Sequence, residues 1–188
     1  MRRRDLVLVM ASAAALLVTI TATEAENAMA PLVTQDVAVT RTFDAKPEEV
    51  WRAWTEDEMV MQWWGPDGFT SPAARMDVRA GASSVVAMRS PDGHDMWMNW
   101  TYTSVEPYAR LEYVQNLSDE TGRLIDPTTV GMPPEFPRDV ATVVTLTPVG
   151  DKTQVTITEH TTTSEFMMEM SQRGLEQVLD KMGAIFAR

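Results

Sequence analysis

The stretch FDAKPEEVWRAWTEDEMVMQWWGPDGFT, Phe43 to Thr70, leaves a strand, enters a helix and is stopped by Gly65-Pro66. Pro47 suits a first helical turn, where its missing N–H is no loss. Glu48 and Glu49 favour the positive end of the helix dipole, and Val50 and Trp54, one turn apart, mark the face to be buried. A second short helical piece, EDEMVMQWW, ends where proline cannot continue the helix and restrains the residue before it. Two adjacent tryptophans stand at that stop. Neighbours on a helix do not share a face, so one of Trp63 and Trp64 is expected in the core and the other elsewhere.

Upstream, DVAVTRTF alternates Val37, Val39, Arg41 and Phe43 against Ala38, Thr40 and Thr42, the pattern of a strand whose faces meet different environments. Downstream, period two dominates. SSVVAMRS and DMWMNWTYTSV flank SPDGHD, whose Asp-Gly predicts an antiparallel hairpin. In its second arm Met96, Met98, Trp100 and Tyr102 share one bulky apolar face, and Trp97, Asn99, Thr101 and Thr103 the other. RLEYVQNL, DVATVVTLTPV and KTQVTITEH supply three further strands. Between the first two of these lies SDETGRLIDPTTVGMPPEFPR, residues 118–138, long and proline-rich enough for a covering loop, with Leu124, Ile125, Met132 and Phe136 available to dock. The chain closes with TSEFMMEMSQRGLEQVLDKMGAIF. Thr162 and Glu165 have capping-box spacing, and Phe166, Met167, Met170, Gly174, Val178 and Met182 recur as one apolar helical stripe.

At 188 residues the chain accommodates one domain with a sizeable core. Its N-terminus has Arg2-Arg3-Arg4, an apolar run from Leu6 to Ile20 and then small residues, the layout of an export signal. The expected division is a signal peptide over 1–25, a flexible linker over 26–35 and the folded domain over 36–188. The apolar run is short for a membrane span, which needs about 20 residues. Export therefore leaves a periplasmic or extracellular protein with no stable span after cleavage; an uncleaved signal would tether it, and a start at Met29 would leave it cytoplasmic. The formal net charge of −11, without basic clusters beyond the leader, argues against nucleic acid as a partner. The absence of cysteine removes disulfides, thiol nucleophiles and thiolate ligands.

The strand, the two short helices, the antiparallel run and the long amphipathic helix come in an order that resembles the START-like or SRPBCC superfamily. FDAKPEEVWRAWTEDEMVMQWWGPDGFT, MDVRAGASSVVAMRSPDG, YTSVEPYARLEY and QRGLEQVLDKM point to the branch named after the heat-shock-protein-90 ATPase activator homologue. The similarity spans Val37 to Phe186. It implies an α+β helix-grip fold, a curved antiparallel sheet around the C-terminal helix with two short helices after the first strand. It also implies a hydrophobic cavity between sheet and helix, with one indole of Trp63 and Trp64 at its mouth. The sequence departs from the family at Gly81-Ala82, where relatives carry Gly-Gly. Ser104 stands where relatives place a glutamate, and Arg173-Gly174-Leu175 replaces a common Gly-Trp.

Against that expectation the chemistry sorts as follows. His94 and His160 are the only histidines, and Glu159 and His160 point to opposite faces of a strand, so no metal and no cofactor is expected. Nucleotide-binding, hydrolase-elbow and zincin motifs are absent. Arg75, Asp77 and Glu112 read as outer-face residues with cross-strand partners. Tyr102 and His160 are the candidates for acid–base chemistry.

Fourteen methionines suit a pocket that adapts to flexible apolar shapes. The expected ligand-binding set is Trp63, Trp64, Met88, Met96, Met98 and Trp100 from the first half. Tyr102, Met132, Phe136, Phe166, Met167 and Met170 complete it. The expected function is an exported domain binding a small hydrophobic or amphipathic molecule. The alternatives are a cyclase- or hydrolase-type enzyme using polar cavity residues, and a chaperone-associated interaction module. Oligomeric state is not encoded in these features.

Overall fold

A computed structural model describes residues 31–187. The expected signal peptide, and the linker up to Ala30, lie outside the described residues. The elements run β1 (Leu32–Phe43), α1 (Pro47–Thr55), α2 (Asp57–Trp63), β2 (Ala74–Arg75), β3 (Ser83–Arg89), β4 (Asp95–Glu106), β5 (Arg110–Ser118), β6 (Val140–Val149), β7 (Lys152–Ser164) and α3 (Glu165–Phe186). The strands form one antiparallel sheet in the order β1-β7-β6-β5-β4-β3-β2, and α3 packs on its inner face. This is the helix-grip architecture expected from the sequence.

The strand before α1 is longer than DVAVTRTF. It starts at Leu32 because β7 runs on to Ser164 and offers it a partner, Leu32 facing Ser164 and Thr34 facing Thr162. The two threonine hydroxyls meet at 2.8 Å. Residues 32–35, expected as linker, are therefore strand.

The N-terminus of α1 is closed by Glu49, whose Oε2 accepts the Lys46 backbone N–H at 3.1 Å. α2 ends at Trp63, and the backbone of Trp64 is already extended, with φ −66° and ψ 132°. That single change of state overturns the expectation that the two indoles must separate. Once the chain has left the helix, neighbouring side chains no longer diverge by a helical step. Both rings enter one core, Trp63 fully buried and Trp64 7% exposed, in edge-to-face contact at 5.7 Å. Gly65 then turns the chain at φ +103°, with Met88 directly beside the space where a Cβ would stand.

Val37, Val39 and Phe43 of β1, Val86 of β3, Trp100 and Tyr102 of β4, Leu111 and Tyr113 of β5, Val144 and Leu146 of β6 and Val155 and Ile157 of β7 face inward. The alternation seen in the sequence is thus the real division of the sheet. Ala82, where the resemblance implies a glycine, sits without strain, since positive φ among non-glycine residues is confined to Tyr108 and Asp139 within the described residues.

The phase of α3 differs from the expected stripe at its start. Ser164 caps the helix, its hydroxyl accepting the Met167 N–H at 3.3 Å, while Thr162 still belongs to β7. The buried residues are Met168, Leu175, Val178, Leu179, Met182 and Phe186. Phe166 is 51% exposed and, unlike Met167 and Met170, lines neither the cavity against α3 nor the one at the end of β4 and β5, which separates it from the expected ligand-binding set.

Among the described residues no helix is long and apolar enough to cross a membrane.

Candidate functional site

Two pieces of local structure place a cavity against α3. The Trp64-Gly65-Pro66 turn is pinned to the helix by Lys181, whose ammonium donates to the Gly65 carbonyl at 2.7 Å and to the Phe69 carbonyl at 3.0 Å. Partial burial draws the Lys181 pKa below its ordinary value. Gln177 adds a second tie, accepting the Asp67 N–H at 3.1 Å. The other piece is the loop after β5, which returns over the sheet end as Phe136-Pro137. Between them, the inner faces of β3, β4 and β5 and the first half of α3 border an open-mouthed space of about 250 Å³.

Met88, Met96 and Met98 line the sheet side of this cavity, Met167, Met170, Gly174 and Leu175 the helix side, and Trp64 and Phe136 complete the wall. Two features of the helix keep the space open. A Cβ added at Gly174 would meet nothing within 4 Å. Leu175 follows it, at the position where the resemblance drawn from the sequence implies a tryptophan. Met170 is 48% exposed and belongs to the opening.

No charged side chain lines the wall. Its polar groups are Gln115 and Ser171, together with the indole N–H of Trp64, which is buried and has no hydrogen-bond partner. Gln115 already accepts the Trp100 indole N–H on Oε1 at 2.8 Å, so its amide N–H groups are what it has left to offer. Ser171 donates its hydroxyl to Oε2 of Glu159, which sits behind the wall on β7. Burial pushes the Glu159 carboxyl above its ordinary pKa, with the Ser171 hydrogen bond opposing. The cavity is thus an apolar space with an uncharged polar pole.

The sequence reading missed Glu159, Ser171 and Gln115. A usable signal existed for Glu159: it continues the alternation of Val155 and Ile157, so its carboxylate had to face the same interior.

Trp63, Trp100 and Tyr102, all expected to line the ligand, lie in solid core instead. The Trp63 indole N–H donates to the Ala53 carbonyl at 2.8 Å. Trp100 stacks on Tyr113 with centroids 5.1 Å apart. The Tyr102 hydroxyl meets Ser84 Oγ at 3.0 Å, and burial raises its pKa, which makes it a poorer acid. His160 is exposed on the opposite face of the sheet, paired with Asp36 at 2.5 Å. Tyr102 and His160 cannot act as an acid–base couple, because the sheet lies between them. Arg75, Asp77 and Glu112 are occupied outside the cavity, Arg75 over the Trp97 ring and the two acids with Arg79 and Arg110. Among the described residues no cluster of three or more His, Asp or Glu is arranged for a metal ion.

Met132 lies elsewhere, in a second and larger cavity of about 710 Å³ at the end of β4 and β5. Met96 lines both spaces.

Comparison with known proteins agrees with this geometry. Residues 44–187 match the family described as Activator of Hsp90 ATPase homolog 1-like protein. Among solved structures, a protein of Chromobacterium violaceum is similar with a TM-score of 0.66 at 20% identity, covering 81% of this chain and 97% of that one. A protein of Arthrobacter aurescens gives 0.66 at 22%, covering 82% and 91%. The AHSA1 protein of Silicibacter pomeroyi gives 0.65 at 19%, covering 81% and 98%. At such identities the likeness shows the fold. No curated protein matches the chain.

Proposed function

The chain belongs to the Activator of Hsp90 ATPase homolog 1-like family, and we propose that it binds a small hydrophobic or amphipathic molecule between the sheet and α3. Its fold is of a kind that commonly binds hydrophobic ligands. The observation that carries the reading is a methionine-walled space left open at Gly174 beside a core that is otherwise filled by aromatic and branched side chains. Apolar burial at roughly 25 cal/mol per Å² supplies affinity. Unbranched thioethers let the wall follow ligands of different shape. The unpaired Trp64 N–H and the Gln115 amide favour a ligand carrying a hydrogen-bond-accepting oxygen over a purely hydrocarbon one.

Native mass spectrometry of the protein purified from its own host tests this. A bound mass of a few hundred daltons or less, released on denaturation, is expected, in keeping with about 250 Å³ of space. Protein that is always ligand-free and takes up no apolar probe would overturn it.

The proposal extends to place. The basic, apolar and small-residue segments of residues 1–25 support export, so the ligand would be met in the periplasm or outside the cell. The mass of the mature N-terminus tests that: Glu26 as first residue is expected, and a chain starting at Met29 would contradict it.

A further inference from the structure

We propose that the two cavities form one bipartite site partitioned by the Met96 side chain, and that its ligand is an elongated, uncharged, single-chain amphiphile. This rests on the inner cavity being a ligand site. The inner space of about 250 Å³ holds about eight groups of water or methylene size, at about 30 Å³ each. The outer space of about 710 Å³ begins on the other side of Met96. Met96, the residue common to both linings, pairs across the strands with Met88, another thioether of the inner wall, so the side chain at the boundary is flexible.

One loop roofs both compartments. Ile125, Val130 and Met132 stand over the outer one and Phe136-Pro137 over the inner one. The loop is a folded element: Asp119 caps its first turn through Thr121 and Arg123, and these hydrogen bonds pull the Asp119 pKa down to about 2. Asp126 binds Arg138 at 2.7 Å across its base. Gly122 lets it lie flat on the outer sheet face, since a Cβ there would come within 2.6 Å of Val85.

The outer wall carries the chemistry for a polar head. Ser118 is buried there, and its hydroxyl has no hydrogen-bond partner. Asp95, Asp119 and Glu120 line the same space, and the Glu120 carboxylate disfavours an anionic head. Asp95 and Asp119 are themselves neutralised by Arg89 and Arg123, which weakens any preference for a cationic one. A hydroxyl head can pair with the unpartnered Ser118 hydroxyl while its chain passes Met96 along the methionine wall of the inner space.

The test is methionine-methyl NMR on the full chain with n-hexanol, n-dodecanol and dodecanoate as probes. Hexanol should shift the inner Met98 and Met167 methyls. Dodecanol should shift these and Met132 together, with one Kd. Affinity should rise about fourfold per added methylene and continue to rise beyond about eight carbons. Dodecanoate should bind about tenfold more weakly than dodecanol, for one like-charge approach. Met96→Trp should stop the rise at about eight carbons while Met96→Ala preserves it. The buried Met182 methyl reports whether each variant is folded, and Met96→Phe is the milder block. If wild type and the blocked variant share one chain-length dependence, or Met132 titrates with its own Kd, the bipartite site is overturned and the inner site stands. If hexanol shifts no inner methyl, both readings fall.

Discussion

Two ends of the same inner sheet face meet the same long helix in opposite ways. At one end the indoles of Trp54, Trp63 and Trp100 fill the space, Trp54 and Trp63 with centroids 4.7 Å apart. At the other, Met88, Met96, Met98 and Met167 surround a hollow, and Trp64 stands at the junction, 4.7 Å from the Trp100 ring. Both ends are apolar, so hydrophobicity does not distinguish them. Shape does: rigid rings with few rotamers close-pack, whereas thioethers opposite Gly174 leave volume.

The comparison breaks most visibly by removing a ring from the filled end. Trp63→Ala should lower stability by about 3–5 kcal/mol, by cavity formation and by leaving the Ala53 carbonyl without its donor. Urea denaturation measures it. A loss below about 1 kcal/mol would mean that this end is as loosely packed as the other.

Adding volume at the hollow end should do the reverse. Gly174→Leu places a side chain where a Cβ meets nothing within 4 Å. It also replaces a helical glycine, which costs about 0.8–1.0 kcal/mol relative to alanine. We expect stability unchanged or raised by about 0.5–1 kcal/mol, with at least about tenfold weaker uptake of hexanol by calorimetry. Weaker uptake together with lost stability would instead show that the helix face at Gly174 is closed.

The same contrast explains what was legible in the sequence. Strand alternation, the Pro47 helix start and the Gly65-Pro66 stop are local, and they placed most of the fold, including the inward face of β4. The site was only half legible. Met88, Met96, Met98, Met167 and Met170 do line the inner cavity, but Trp100 and Tyr102, which share the β4 face of Met96 and Met98, and Trp63, one of the pair at the helix stop, belong to filled core. Which residues of one apolar face touch the hollow depends on the volume left after packing, and no local period carries that. Phe166 failed for a different reason: the buried stripe runs through Met168, Leu175, Leu179 and Phe186, and at 3.6 residues per turn Phe166 falls on the other side of the helix. Ser171, which tethers Glu159 at the cavity, falls outside the apolar pattern and was overlooked with it.

A smaller effect separates the two ends by charge. Glu159 is the buried acid behind the hollow end, and its folded-state pKa is raised above the ordinary 4.5. The native state therefore binds the proton more tightly than the unfolded chain, so stability is greatest below pH 4.5 with respect to this group. It falls as pH rises through the folded pKa. Glu159→Gln keeps an acceptor for Ser171 and removes the titration. Urea denaturation at pH 5 and pH 8 should show the wild type losing more stability than the variant. Parallel behaviour would mean that the carboxyl is solvated in solution.

The smallest expected effects come from the two residues that the sequence offered as an acid and a base. Tyr102→Phe removes one buried hydroxyl contact, to Ser84, and should cost about 1 kcal/mol. His160→Ala removes an exposed pair with Asp36 on the far face of the sheet. Hexanol affinity should remain within about twofold in both, since neither side chain lines the inner cavity. A large change in His160→Ala would require a connection through the β1–β7 pair to the interior. Glu159, next to His160 and on the opposite face, is the residue through which it would have to pass.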